Sequence, residues 1–170
     1  MDFYEVTGNL FDTESYTDKD VVLAHCIASD FGMYGGIATQ FIQHFDMKNK
    51  LLSWSDATGI SVSIQTAFTA YHSKYRIFTR PSLIGKAVKI DNVYNLITKE
   101  MTSDRPTLNS LRKSLVSLRK QMLHNNDKVL AIPDMIGCGI DGLDRNDVLD
   151  AICEVFNKTD ITIYAVKLEQ

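Results

Sequence analysis

Cysteine is scarce in this sequence and follows no pattern. The 170 residues contain Cys26, Cys138 and Cys153. An odd number of cysteines without paired spacing argues against a disulfide framework and favours reduced thiols in a reducing compartment. No Cys and His residues stand at the spacing of a metal site. We therefore expect three small, buried packing cysteines and no metal or other cofactor.

Long apolar runs and a strong net charge are also missing. No run approaches membrane-spanning length, and the N-terminus, MDFYEVTGNLFD, is acidic and has no signal-peptide core. A net charge of −3 argues against a general nucleic-acid or membrane surface held by bulk electrostatics, although it allows a small anion pocket built from backbone. We expect one soluble, cytoplasmic domain over residues 1–170 that acts as a monomer and has no membrane partner.

Three of the nine glycines lie within six residues, between a predicted strand and a predicted helix. Lys128–Ile132 is an apolar run typical of a buried strand, and Pro133 ends it because proline cannot donate to a ladder. Asp144–Phe156 then carries apolar residues at helical spacing. Between them stand Gly137, Gly139 and Gly142. The N–H groups of such a loop can bind phosphate oxygens without Lys or Arg, although a tight turn would have the same pattern.

A second unit of strand, glycine loop and helix lies upstream. Val21–Ile27 has the pattern of a strand buried on both faces, Ala28–Gly36 is the loop, and Ile37–Phe45 is a helix that we expect to continue over Met47–Trp54. The other predicted elements are the strands Phe3–Thr7, Lys86–Ile90, Val93–Thr98 and Ile161–Val166, with a hairpin turn at Asp91-Asn92, and the helix Thr107–Leu123. This alternation predicts an α/β fold with helices on both faces of a partly parallel sheet. Both glycine loops should then meet at the carboxyl ends of the strands, where ligands bind.

Three side chains near these loops are candidates for chemistry. Lys99 follows a predicted strand, and an amine can attack a sugar aldehyde or anomeric carbon. Asp141 lies among the glycines, where it can act as acid or base or stabilise positive charge at that carbon. His25 lies inside an apolar strand. The structural alternatives are an exposed strand end for Lys99, a turn cap for Asp141 and a hydrogen-bonded core histidine for His25. A cleft of this kind suits a phosphorylated sugar.

Four motifs, in order, resemble the macro domain family, whose members bind ADP-ribose. They are VTGNLF (Val6–Phe11), LAHCIASDFGMYGGIA (Leu23–Ala38), NLITK (Asn95–Lys99) and IPDMIGCGIDGL (Ile132–Leu143). Within the family, the chain is similar to the branch that contains terminal ADP-ribose protein glycohydrolase and yeast-type ADP-ribose 1″-phosphate phosphatase. The likeness covers most of the chain except roughly Ser55–Leu83.

The resemblance implies a three-layer α/β/α sandwich with a mixed, mostly parallel sheet and ADP-ribose across its rim. In the glycohydrolase branch, the lysine that matches Lys99 attacks the distal ribose and the aspartate that matches Asp141 completes release. His25 is a third catalytic candidate, for the phosphatase chemistry. The residues expected to bind the ligand are Asn9, Leu10, Ala28, Ser29, Met33, Gly35, Gly36, Ile37, Pro133, Ile136, Gly137, Cys138, Gly139, Ile140 and Gly142.

The chain departs from the family pattern at three places. Many macro domains have an Asp where this chain has Asn9, and that Asp binds the adenine amino group; yeast-type phosphatases carry Asn there. Arg145 stands where an aromatic residue is common, and Ser55–Leu83 is longer than in the relatives, which we interpret as a neutral surface insertion. The resemblance favours a hydrolase acting at the distal ribose of ADP-ribose derivatives, either an ADP-ribosyl ester glycohydrolase or an O-acyl-ADP-ribose deacylase. An ADP-ribose 1″-phosphate phosphatase and a non-catalytic ADP-ribose reader are the alternatives.

Overall fold

A computed structural model of the chain describes residues 1–59 and 83–169. Within these ranges the strands are β1 (Asp2–Gly8), β2 (Val22–Ala28), β3 (Ala87–Ile90), β4 (Val93–Lys99), β5 (Val129–Pro133) and β6 (Thr162–Leu168). The helices are α1 (Ile37–Phe45), α2 (Met47–Ala57), α3 (Leu108–Asn125) and α4 (Arg145–Phe156). Each predicted strand and helix is present, with ends that differ by at most three residues. The interpretation of Ser55–Leu83 falls mostly outside the described residues.

The strands form one mixed sheet in the order β1-β6-β5-β2-β4-β3. β1, β6, β5, β2 and β4 run parallel to their neighbours, whereas β3 pairs antiparallel with β4. The turn between these last two contains Asp91, which has a left-handed φ of 51°. The parallel strands therefore bring their carboxyl ends, and the loops that follow them, to the same edge of the sheet.

Helices cover both faces of this sheet, which confirms the predicted α/β/α class. Alternate residues of β4 point to opposite sides, as strand geometry requires. Tyr94 and Leu96 pack in a core with Leu111 of α3, while Ile97 packs in a second core with Phe41 of α1. All five residues have exposed fractions of 0%. β2 and β4 are buried on both faces. β2 is an almost continuous apolar run, whereas β4 also buries the polar side chains of Asn95 and Thr98.

Side-chain caps start α3 and α4, and a left-handed residue separates α1 from α2. Thr107 accepts a hydrogen bond from Ser110 N–H and starts α3 as part of a capping box. Asp144 accepts from Asn146 N–H at 2.8 Å and so ends the second glycine loop at the start of α4. The prediction that α1 continues into the next helix is wrong, because Asp46 has a left-handed φ of 53° and separates α1 from α2. None of the described helices is long and apolar enough to cross a membrane.

Candidate active site

A cavity of about 890 Å³ opens at the carboxyl ends of the parallel strands. The loop after β2 lines one side of it, the loop between β5 and α4 lines another, and the end of β6 also contributes. The predicted residues in its lining are Leu10, Ala28, Met33, Gly35, Gly36, Ile37, Lys99, Pro133, Ile136, Gly137, Gly139, Ile140 and Asp141. The two glycine loops therefore do share one cavity.

Lys99 and Asp141 meet inside this cavity although 42 positions separate them in the sequence. Lys99 Nζ donates a hydrogen bond to Asp141 Oδ1 at 2.7 Å, and the side chains are 10% and 15% exposed. Lys99 is the last residue of β4. The pairing shifts between Ile27 and Ala28, where Thr98 is an extra residue in β4, so that Ala28 faces Lys99. Such bulges re-aim side chains at the ends of strands. Shielding from solvent makes this pair less sensitive to salt than an exposed pair would be.

The pair places an amine beside a proton acceptor. A lysine ammonium must lose a proton before its nitrogen can attack, and Asp141 Oδ1 is within hydrogen-bond distance to accept it. Cys26 lines the same cavity, but burial raises the pKa of its thiol and Asp141 adds to that effect. Burial also raises the pKa of the Cys138 thiol. Both thiols stay protonated near neutral pH, which disfavours Cys26 and Cys138 as nucleophiles.

Gly35 and Gly36 contact Ile140 across the mouth of the cavity. A Cβ atom on Gly35 would lie 3.0 Å from Ile140 Cδ1, and one on Gly36 would lie 3.2 Å from it. Gly36 also has a φ of 60° immediately before α1, a conformation that other residues rarely adopt. The absence of side chains at these two positions therefore lets the two loops touch. Ile140 is 73% exposed, so this contact lies at the surface.

His25 lies in the core. Its exposed fraction is 0%, its ring stacks on Phe41 with centroids 3.8 Å apart, and its Nε2 is 2.7 Å from Asn95 Oδ1. Burial lowers the pKa of His25 to about 4, so the ring is neutral at pH 7. The neutral ring then donates from Nε2 to Asn95, while Nδ1 is buried with no hydrogen-bond partner among the described residues. This placement fits the structural alternative, a core histidine, and does not put His25 at the cavity with Lys99 and Asp141.

Four predicted ligand-binding residues lie outside the cavity lining. Asn9 Oδ1 accepts a hydrogen bond from Phe11 N–H at 3.0 Å and so holds its own turn. The other three are Ser29, Cys138 and Gly142. Ser29 is buried, and its N–H donates to Lys99 O at 2.9 Å, which ties the loop after β2 to the end of β4. Arg145, the second departure from the family that the motifs resemble, forms an ion pair with Glu5.

The lining also contains residues that the sequence did not predict. They are Cys26, Ile27, Tyr34, Ala38, Gln40, Thr102, Asp134, Met135, the last three residues of β6 (Val166, Lys167 and Leu168) and Glu169 after it. Tyr34 and Ala38 lie within the loop and helix already singled out, so the motif itself could have indicated them. The last strand borders the cavity because β6 lies between β1 and β5. That position depends on long-range pairing.

The prediction of three buried cysteines holds only in part. Cys26 and Cys138 are partly buried, whereas Cys153 is exposed on α4, because it falls on the helix face that points away from the core. In residues 1–59 and 83–169, no three His, Cys, Asp or Glu side chains are grouped so that they could hold a metal ion.

Comparison with known proteins yields relatives by sequence and by fold. No protein-family model matches the chain. The protein named ADP-ribose glycohydrolase OARD1, of Homo sapiens and of Bos taurus, is 34% identical over 158 residues, which cover 93% of this chain and 86% of that protein.

Solved structures with the same fold include two macrodomains. The macrodomain of Thermus aquaticus DarG has a TM-score of 0.68 at 17% identity and covers 99% of this chain and 98% of that one. The macrodomain of Mycobacterium tuberculosis DarG has a TM-score of 0.66 at 18% identity, with coverage of 98% and 99%. Thermosipho africanus DarTG, solved in complex with ADP-ribose, has a TM-score of 0.63 at 17% identity and covers 99% of this chain and 42% of that one. At these identities the likeness shows the fold alone.

The mixed sheet between two helical layers, with a cavity between two glycine loops, defines an α/β/α domain with the macrodomain fold. The identity to ADP-ribose glycohydrolase OARD1 extends over nearly the whole chain. The chain belongs to the macro domain family.

Proposed function

We propose that the chain is a hydrolase that binds ADP-ribose derivatives and cleaves the bond to the group attached at the distal ribose. The observation that carries this proposal is the Lys99–Asp141 pair, 2.7 Å apart inside the cavity. Relatives named ADP-ribose glycohydrolase support ADP-ribose as the bound part of the substrate. The loop after β2 surrounds the distal ribose, and the Gly137–Gly142 loop binds the diphosphate through backbone N–H groups.

The geometry supports a reaction in two steps. First, Asp141 takes a proton from the Lys99 ammonium, and the free amine attacks C1″ of the distal ribose. The bond from C1″ to the acyl oxygen breaks, and the carboxylate leaves with the bonding electron pair and takes the proton from Asp141. Water then attacks C1″ and loses a proton to the Asp141 carboxylate, and the C–N bond breaks with its electron pair returning to the Lys99 amine, which releases ADP-ribose. The substrates are therefore ADP-ribosyl groups and O-acyl-ADP-ribose whose ester oxygen is bonded to C1″.

Hydrolysis of ADP-ribose 1″-phosphate is the second candidate activity. Asn9 favours it, because yeast-type phosphatases of the family carry Asn at this position. This reaction needs no lysine nucleophile. It should therefore survive the loss of Lys99 but not the loss of Asp141, whereas ester hydrolysis should need both.

The test compares turnover of O-acetyl-ADP-ribose that carries its acetyl ester at C1″ by the parent chain, Lys99→Ala and Asp141→Ala. Each variant should lower the rate at least about 100-fold, the scale of a lost general base or nucleophile. Lys128→Ala is the matched control, because Lys128 also pairs with an aspartate, Asp160, at 2.7 Å, but the two side chains are 46% and 67% exposed. It should keep the parental rate.

Other outcomes separate the alternatives. A Lys99→Ala chain with the parental rate would remove the lysine from the mechanism. Release of phosphate from ADP-ribose 1″-phosphate that persists in Lys99→Ala would support the phosphatase. Calorimetric binding of ADP-ribose without turnover of either compound would support a reader. We also propose that the chain acts as a monomer, since a single chain forms the cavity; light scattering tests this.

A further inference from the structure

The Asp30 carboxylate connects two separate segments of the cavity wall. Its Oδ1 accepts hydrogen bonds from Gly32 N–H at 2.9 Å and from the Thr102 hydroxyl at 2.6 Å. Its Oδ2 accepts from Thr102 N–H at 2.9 Å. Both oxygens are therefore used, and two of the three bonds reach a residue 72 positions away. Hydrogen bonds to an ionised carboxylate are among the stronger ones in proteins.

The two connected segments carry the reactive lysine and the loop that faces it. Thr102 lies three residues after Lys99, and both line the cavity. Backbone bonds from Ser29 N–H to Lys99 O, at 2.9 Å, and from Asp30 N–H to Glu100 O, at 3.2 Å, continue the contact between β2 and β4 beyond the sheet. Asp30 therefore stands where the loop after β2 separates from the end of β4.

The loop that follows Asp30 packs closely against Thr102. A Cβ atom on Gly32 would lie 2.0 Å from Thr102 Oγ1, so the backbone is pressed against Thr102. On either side of Gly32, Phe31 and Met33 have left-handed φ values of 52° and 55°. Conformations of this kind persist only where the surroundings hold them. The Asp30 bonds supply part of that support, and Lys48 Nζ supplies another by donating to Gly32 O at 3.1 Å.

We propose that Asp30 is a positioning residue for the hydrolysis: it holds the loop after β2 against the chain that follows Lys99. The inference rests on the proposed function. Asp30 is not among the residues of the described chain that line the cavity, so it acts through Lys99 and the loop rather than on the substrate. Its loss should therefore lower kcat more than it weakens binding, because small misplacements of reacting groups cost rate.

The experiment measures kcat and KM for O-acetyl-ADP-ribose and calorimetric binding of ADP-ribose. Asp30→Asn replaces one acceptor with an NH₂ group that opposes an N–H donor, and Thr102→Val removes the hydroxyl donor. Each should lower kcat at least about tenfold while KM and the ADP-ribose Kd change less than about threefold. Thr102→Ser, which keeps the hydroxyl, should have a kcat at least about fivefold above that of Thr102→Val.

The matched control is Asp127→Asn. Asp127 accepts from Tyr94 Oη–H at 2.6 Å and from Lys89 Nζ at 2.9 Å, outside the cavity. It should lower the melting temperature without lowering kcat. The positioning role is overturned if Asp30→Asn keeps kcat within about twofold of the parent, or if Asp127→Asn lowers kcat as much as Asp30→Asn does. The proposed function stands in either case. A parent chain that fails to hydrolyse O-acetyl-ADP-ribose would overturn the proposed ester hydrolysis and the positioning role together.

Discussion

His25 should make the protein less stable as the pH falls below about 6.5, the ordinary pKa of histidine. In the folded chain, burial lowers the pKa of His25 to about 4, and its hydrogen bond to Asn95 offsets only part of that effect. In the unfolded chain the ring is in water and has its ordinary pKa. Between these two values the unfolded state binds more protons than the folded state, so the free energy of unfolding falls as the pH is lowered.

The size of the effect follows from the two pKa values. They differ by about 2.5, which corresponds to about 3 kcal/mol once the pH is below both values. Between pH 7 and pH 5 the contribution of His25 to the loss is about 2 kcal/mol, because the unfolded ring becomes almost fully protonated while the folded ring stays neutral. A change of this size is a large part of the total stability of a small domain.

Urea unfolding of the parent and of His25→Gln at pH 7 and pH 5 provides the test. Glutamine does not titrate, and its amide can still donate to Asn95. The variant also loses the stacking on Phe41, so it should be less stable at both pH values. The comparison therefore uses each protein's own difference between pH 7 and pH 5, in which other titrating groups cancel. The parent should lose about 2 kcal/mol more than the variant. Equal losses in the two proteins would refute the assignment of a neutral, buried His25.

Substitutions at Gly36 and Thr107 test the loop after β2 and the start of α3. Gly36→Ala should lower the free energy of unfolding by about 1–3 kcal/mol, because φ is 60° there and Ile140 Cδ1 would lie 3.2 Å from the new Cβ. Gly139→Ala places its Cβ with no atom within 4 Å, so it should lower the free energy of unfolding clearly less in the same urea titration. Equal decreases for the two variants would contradict the strain and close contact inferred at Gly36. Thr107→Ala removes the cap of α3 and should lower the free energy of unfolding by about 1 kcal/mol. Thr107→Ser keeps a capping hydroxyl and should retain most of that free energy. Thermal unfolding of the two Thr107 variants checks this, and two equal melting temperatures would mean that the cap contributes little.

The elements of the fold could be predicted because their signals are local. The apolar run of β2, the helical spacing of α3 and the Asp91-Asn92 turn each depend on a few neighbouring residues. The structure has these elements close to where the patterns place them. The errors occur where one residue's conformation overrides the pattern. Asp46 breaks an apparently continuous helix because its backbone is left-handed.

The position of β6 could not be predicted in the same way. No local pattern indicates that β6 lies between β1 and β5, yet this order brings Val166 and Lys167 to the cavity. Strand order results from the pairing of segments far apart in the chain. The direction of the His25 side chain also depends on packing between distant segments. Its strand was predicted, but the packing of α1 decides that its ring stacks on Phe41.

The sequence by itself determined the α/β alternation, the two glycine loops and the motifs that resemble the macro domain family. Each of these features depends on residues close together in the sequence, whose types and spacing favour a helix, a strand or a turn. Only the tertiary structure decided which side chains meet. The Lys99–Asp141 contact spans 42 positions, and the contact from Asp30 to Thr102 spans 72. Both depend on the parallel pairing of β2 with β4 and on the irregularity at Ile27 and Ala28, because these set where each strand ends and where its last side chain points.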